Sequence, residues 1–291
     1  RMIRILASIV SVFLLTITLD AADYHVWQTG PDASDDGPGT LDKPWKTITK
    51  AASTVQAGDT VFIHAGIYAE AVTIKNAGTG PKPIVFKAFG DDEVILEGAD
   101  AVAGGKWQLV PDSRSIHWVV LDRDPGQLLV AGKAVYPKVD QTQKNYPRTY
   151  KLGVLADGDK PAYQYEGPSK RLLLTLGSDS PARHDVRVPV RTSAFVLNDH
   201  CRLSGVRIRN YVYSGIAVSG SHCVVEDCLV TDCGGGIGAS GWDHHSAIVR
   251  RNTVIGTRGN GIFLQDRPTH CFIEDNLVVR CALNPAHEAG W

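Results

Sequence analysis

The segments CRLSGVRI (201–208), CVVEDCLV (223–230), AIVRRNTV (247–254) and CFIEDNLV (271–278) follow one another at intervals of 22, 24 and 24 residues. Their columns agree in character. The third position holds Leu203, Val225, Val249 and Ile273, the sixth Val206, Cys228, Asn252 and Asn276, and the eighth Ile208, Val230, Val254 and Val278. A second motif recurs between them, SGIAVSG at 214–220, GGIGASG at 235–241 and NGIFLQD at 260–266. Each repeat therefore carries at least two short strands. A repeat of this length, alternating in apolar residues and lacking a helical period, suits a coiling parallel sheet in which each turn buries its inward residues against its neighbours. Propeller blades need roughly 40 residues or more, and a leucine-rich repeat needs a Leu-x-x-Leu-x-Leu frame that is absent. A parallel β-helix remains. Its coils lie about 4.8 Å apart, so like residues stack into ladders, and Asn252 and Asn276 are placed to exchange side-chain amide hydrogen bonds.

The same geometry organises the cysteines. Cys223 and Cys271 fall two coils apart, as do Cys233 and Cys281, a separation of roughly 9.6 Å against a disulfide reach of about 7 Å. Cys201 and Cys223 are in neighbouring coils. The six cysteines are expected to act as small apolar core residues, and no Cys-x-x-Cys pair suggests zinc.

The whole chain has 291 residues, 43% of them apolar, with 30 Lys and Arg against 31 Asp and Glu. This composition excludes a disordered chain, and no basic excess exists to drive nucleic-acid binding. The 29 Gly and 15 Pro point to many turns between short strands. Residues 1–22 have the layout of a secretory signal peptide: Arg1 and Arg4, an apolar run over 5–19, and small residues Ala21 and Ala22. A membrane anchor is the alternative, but the run is shorter than the roughly 20 residues a bilayer requires. The mature chain is expected to be a secreted or periplasmic monomer, free of the membrane once the leader is removed.

Residues 23–100 read as an N-terminal cap and the first coils. A strand is expected over 24–27, then an Asp- and Gly-rich loop, then a short helix on which Ile48, Ala51, Ala52 and Val55 share one face. Gly58 is expected to supply its left-handed stop, and strands to follow over 61–63, 72–74, 84–89 and 94–96. Such a helix would cover the open first coil, whose bare edges would otherwise invite aggregation. Residues 101–195 break the pattern and read as a β-rich insertion, with strands over 107–110, 118–121, 127–130, 163–165 and 172–176 and a hairpin turn at EGPSK, 166–170. Residues 196–291 carry the repeating coils. Trp291 stops partway through a coil, so the fold is expected to be C-terminally incomplete and the natural protein to continue.

The run over 39–89 resembles the opening segment of secreted right-handed parallel β-helix proteins of the pectate-lyase-like superfamily, and is most similar to family 9 polysaccharide lyases and their uncharacterised relatives. The matching residues are Gly39-Thr40, Pro44, Thr47-Ile48, Ala51, Gly58-Asp59, Gly66, Tyr68 and Pro83-Ile84. The resemblance implies an all-β fold and action on a polysaccharide, by elimination or by hydrolysis. Family 9 lyases are associated with an Asp cluster and a Lys base. This chain departs from that pattern, for no Lys follows Lys170. Either an Arg such as Arg258 or Arg267 substitutes, which an Arg pKa above about 12 makes costly, or the base is expected to lie beyond Trp291.

Hydrolysis instead needs two carboxylates about 5 to 9.5 Å apart. Asp243 and Asp266 follow equivalent Gly-Ile strands in neighbouring coils, and Glu288 follows one coil later. With His244 beside Asp243 they form the candidate catalytic group. Capping of turns is the plainer role for such residues. Trp242, as a sugar-stacking platform, His245 and Arg267 are candidate substrate-binding groups. His200, His222 and His270 precede their columns and are expected to stack along one edge. The Asp32, Asp35, Asp36 loop is a candidate Ca²⁺ site, with an Asx-rich turn as its alternative. A non-catalytic carbohydrate-binding or adhesion β-helix is the remaining class.

Overall fold

The computed structural model describes residues 21–138, 154–240, 245–265 and 267–282. Three parallel sheets wrap a common interior. The first contains Asp23–Val26, Thr60–Ile63, Ile84–Ala88, Cys201–Ser204, Val224–Glu226, Ile248–Arg250 and Phe272–Glu274, hydrogen-bonded in that order. The second runs Gly66–Tyr68, Val94–Glu97, Arg207–Arg209, Leu229–Thr231, Thr253–Ile255 and Leu277–Val279. The third runs Val72–Thr73, Phe195–Leu197, Ser214–Val218, Gly235–Ser240 and Ile262–Gln265. A coil thus has three strands. The quoted eight-residue segments hold two of them, and the Gly-Ile motif supplies the third.

Single left-handed residues turn the corners, and these too stack. His200, His222, Ser246 and His270 precede the first sheet with φ between 53° and 58°. Gly205, Asp227, Arg251 and Asp275 separate the first sheet from the second, and Asn210, Asp232, Gly256 and Arg280 follow the second, all with positive φ. His, Asp, Asn and Gly predominate because they enter this region at least steric cost. The histidines are therefore corner residues, and the His200 and His222 rings stack at 4.5 Å and 8°.

Inside, the expected columns interdigitate. Leu203, Val225 and Val249 are buried, as are Ile208, Val230 and Val254. The asparagine ladder forms: Asn252 Nδ2 donates to Asn276 Oδ1 (3.0 Å) and to the Val225 carbonyl (3.0 Å), while Asn252 Oδ1 accepts from the Cys228 amide (3.0 Å). All six cysteines are free thiols, four of them buried. Burial pushes the Cys228 and Cys233 thiols up to about 12.

The helix spans Ile48–Thr54 and drives Ile48, Ala51, Ala52 and Val55 into this core. It ends differently from the sequence-based expectation. Val55 is already extended (φ −60°, ψ 150°), whereas Gly58, at φ 103°, lies in the turn that follows. The chain leaves the helix through an extended residue, and the glycine serves only the approach to Thr60.

The insertion interrupts a single coil. Val94–Glu97 is its second-sheet strand, and its third-sheet strand, Phe195–Leu197, arrives only after the excursion. Between them lie two four-stranded antiparallel sheets. One joins Lys133–Val135, Leu128–Val130, Val186–Pro189 and Ala99–Val102; the other joins Ala162–Glu166, Arg171–Thr175, Ile116–Val120 and Gln108–Leu109. They share a separate core of Trp107, Leu128, Tyr163, Leu172, Leu174 and Val186 among others. Phe195, where the insertion was expected to end, already belongs to the coil.

Buried Glu97 fixes the point of departure. Its carboxylate accepts from Arg209 Nε (2.8 Å), Asn210 Nδ2 (2.9 Å) and the Ala99 amide (3.0 Å). Arg191 fixes the return, donating to Asp100 (2.7 Å) and to the Ala69 carbonyl (2.8 Å).

Candidate functional site

Because the insertion leaves at the corner between the second and third sheets, it stands beside the same corner of the following coils. Two contacts hold it there. Gln127 Nε2 donates to the Asp232 carbonyl (2.6 Å), and Arg258 Nη2 donates to the Val212 carbonyl (2.7 Å) with its guanidinium lying under Gly126. Gly126 has φ 72°, a conformation strained for any L side chain, and a Cβ there would overlap Arg258 Nη1, so the guanidinium would have to move. Two buried atoms at this contact, Gln127 Oε1 and Arg258 Nε, have no hydrogen-bond partner among the described residues.

A cleft of about 760 Å³ opens between the two bodies. The insertion contributes Asp124, Gly126, Pro137 and Tyr163, and the coils contribute Tyr213, Arg258, Asn260, Phe263 and Gln265 with small residues of the third sheet. Asp124 Oδ1 accepts from the Tyr163 hydroxyl (3.0 Å) and the Gly126 amide (2.9 Å). Burial first, and then the Asp124 charge, raise the Tyr163 hydroxyl well above its usual range, so that it donates to the carboxylate and stays protonated. On the coil side the Phe263 ring lies over Gly238, where a Cβ would overlap it. Tyr213 is 64% exposed. The wall thus offers a fixed carboxylate, two aromatic faces and the amides of Asn260 and Gln265.

The sequence-predicted residues distribute unevenly. Trp242, Asp243, His244, Asp266 and Glu288 lie outside the described residues. Positions 241–244 follow directly on Ser240, the register partner of Gln265, and position 266 follows Gln265, which lines the cleft. His245 sits at the opposite corner, before the first sheet, where its Nδ1 meets Thr269 Oγ1 at 2.5 Å and its carbonyl accepts from the His222 amide. Arg267 is an exposed residue with φ 65°. Neither lines the cleft.

Asp35 braces the start of the helix, accepting from the Lys46 amide (2.9 Å), the Thr47 amide (3.0 Å) and Thr47 Oγ1 (2.8 Å). Asp32 is a left-handed turn residue, and the Asp36 amide donates to Ser34. This is the Asx-rich turn. Among the described residues no three His, Cys, Asp or Glu side chains are grouped to hold a metal ion.

Asp124, Tyr163, Tyr213 and Phe263 escaped the sequence reading. The one local signal was Asp124-Pro125-Gly126, which reads simply as a turn between strands.

Residues 185–289 match the family model described as right handed beta helix region, and residues 30–76 match a family described as protein of unknown function (DUF1565). The fold is a right-handed parallel β-helix. The chain is 36% identical over 78 residues to the uncharacterized protein YwoF of Bacillus subtilis and 35% identical over 82 residues to pectate lyase PEL9 of Emericella nidulans. It is 28% identical over 153 residues to alpha-1,3-galactosidase A of Akkermansia muciniphila. These matches cover 27%, 28% and 42% of this chain and 16%, 19% and 25% of the relatives' own lengths. Among solved structures, XylC in complex with xylose superposes with a TM-score of 0.56 at 16% identity, over 88% of this chain and 65% of that one. A structure described as a glycoside hydrolase superposes with a TM-score of 0.58 at 13% identity, over 84% and 67%. At these identities the superpositions show the fold. Carbohydrate-active β-helix proteins are thus found among both the relatives and the structural neighbours of this β-helix chain.

Proposed function

We propose that this β-helix chain cleaves an extracellular polysaccharide by glycoside hydrolysis, with the sugar chain lying in the cleft between insertion and coils. The observation that carries the reading is the run of the third-sheet strands. Gln265 lines the cleft beside Asp124 and Tyr213, and the next residue is Asp266; its register partner Ser240 leads to Asp243 and His244. Asp243 and Asp266 are assigned as the acid and its carboxylate partner, the pair that hydrolysis requires. Elimination needs a cation for the sugar carboxylate and a base. Among the described cleft residues the one cationic side chain is Arg258, already committed to Val212. The names of two structural neighbours, a glycoside hydrolase and a xylose complex, agree with this choice. A periplasmic or secreted location is part of this proposal and is supported by the leader-like composition of residues 1–22, most of which lie outside the described residues.

Purified protein is to be incubated with neutral and uronic-acid polysaccharides while new reducing ends and unsaturated-product absorbance are both recorded. Reducing ends without ultraviolet absorbance, lost in Asp243→Asn and Asp266→Asn, are expected. Ultraviolet-absorbing products would replace hydrolysis by elimination. Retention of a polysaccharide with no product of either kind would make the chain a binding protein.

A further inference from the structure

The cleft already described carries information about its substrate class. Its carboxylate, Asp124, has one oxygen anchored by Tyr163 and Gly126, and no hydrogen bond or ion pair occupies Oδ2 among the described residues. Held through Oδ1, the carboxylate presents Oδ2 as an acceptor at the cleft wall. The cation nearby is turned to the backbone: Arg258 Nη2 donates to the Val212 carbonyl, Nη1 lies against Gly126 and Nε is buried. The guanidinium fork that would receive a sugar carboxylate is therefore tucked beneath the loop. Among the described residues the rest of the wall is uncharged, with exposed Tyr213 and the Phe263 ring for the apolar faces of a pyranose and Asn260 for its hydroxyls.

From this we infer that the cleft takes a neutral glycan, and that Asp124 of the insertion is the specificity-determining residue, accepting hydrogen bonds from the sugar's hydroxyls. A polyuronate brings a negative charge on every residue to a wall where, among the described residues, the ionised edge turned to the cleft is the Asp124 carboxylate, the Arg258 fork being turned to the backbone. Like charges brought together in a partly desolvated cleft oppose binding, whereas hydroxyl donors to a carboxylate are charge-assisted and stronger than neutral pairs. The inference rests on the proposed function and specifies the substrate of the same site.

The test is affinity electrophoresis and calorimetry with xylan, galactan and polygalacturonate, on the full chain and on Asp124→Asn and Tyr213→Ala. Asn keeps an acceptor for Tyr163 and Gly126, so the melting temperature of Asp124→Asn is expected to stay that of the parent. Tyr213 is exposed, so its removal tests the wall independently of folding. The parent is expected to bind xylan or galactan in preference to polygalacturonate. Asp124→Asn is expected to weaken neutral binding by about tenfold, the cost of roughly one charge-assisted hydrogen bond. Tyr213→Ala should weaken it as well. Polygalacturonate bound at least as tightly as either neutral glycan overturns the inference and leaves the cleft a polysaccharide site. Neutral binding that survives Asp124→Asn unchanged removes Asp124 from its role. No binding of any of the three glycans sinks the proposed function itself.

Discussion

Replacement of Asn252 by Ala tests the internal ladder that sets the register of the coils. Asn252 is 1% exposed, and its side chain serves two buried backbone groups, the Cys228 amide and the Val225 carbonyl. Alanine leaves both without a partner in a place water does not reach. An orphaned buried group costs about 1–3 kcal/mol, so the pair should cost about 2–6 kcal/mol. Asn276 provides the control, because it makes the same bonds one coil on, accepting from the Asn252 amide (2.9 Å) and donating to the Val249 carbonyl (2.8 Å). It is only half-buried, so solvent can replace what Asn276→Ala removes, and a loss of about 1 kcal/mol is expected. Urea titration by far-UV circular dichroism measures both, at constant m-value. Hydrogen exchange at the Cys228 amide should accelerate selectively in Asn252→Ala. A loss in Asn252→Ala no larger than in Asn276→Ala would refute the reasoning, since burial is the only difference invoked.

Three further outcomes follow from the geometry. His25 Nδ1 and His64 Nε2 share a hydrogen bond (2.9 Å), and His64 stacks between Trp27 and Phe89. Burial lowers both pKa values; the partner ring lowers His64 further, while Asp92 opposes on His64 and Asp23 on His25. The unfolded chain then binds protons more readily, so this contribution is complete above the ordinary value of 6.5 and is lost as pH falls below it. Denaturation midpoints at pH 8 and pH 5 should differ by more in the parent than in His64→Phe. Ellman's reagent should titrate Cys271 and Cys281 in the folded protein but reach Cys201, Cys223, Cys228 and Cys233 only after unfolding, because those four are buried. Gly126→Ala, which meets Arg258 and a positive φ together, should cost about 1–3 kcal/mol or lift the loop off the coils. Glycan affinity would then fall with it; unchanged affinity and stability would show that the loop does not hold the cleft wall.

The coils were legible in the sequence because a solenoid places residues about two dozen apart in contact, so that each column repeats its own character. Leu203, Val225 and Val249 announce an interior in one dimension, as Asn252 and Asn276 announce a ladder. The third strand was harder to count, since Ser214–Val218 and Gly235–Ser240 are rich in small residues that carry little periodic signal. In the insertion the hairpin of Ala162–Glu166 and Arg171–Thr175 was readable from its turn. Strands Ala99–Val102 and Val186–Pro189 were not, because they pair with each other across the whole excursion and neither contains a local turn to mark it.

The candidate site escaped for a stronger form of the same reason. Gln127 meets Asp232 across 105 residues, and no column of the repeat predicts that meeting. It arises from where the insertion leaves. A segment that departs at the corner after the second sheet must stand beside the later corners Asn210, Asp232 and Gly256, since stacking aligns them, and it borders the third sheet because that sheet begins there. The repeats supply a straight, chemically plain wall, while the non-repeating segment brings Asp124 and Tyr163 to face it. In such an architecture selectivity falls to the part of the chain that breaks the period. That division is why Asp124, rather than a residue of the columns, is the place to test the proposed substrate preference.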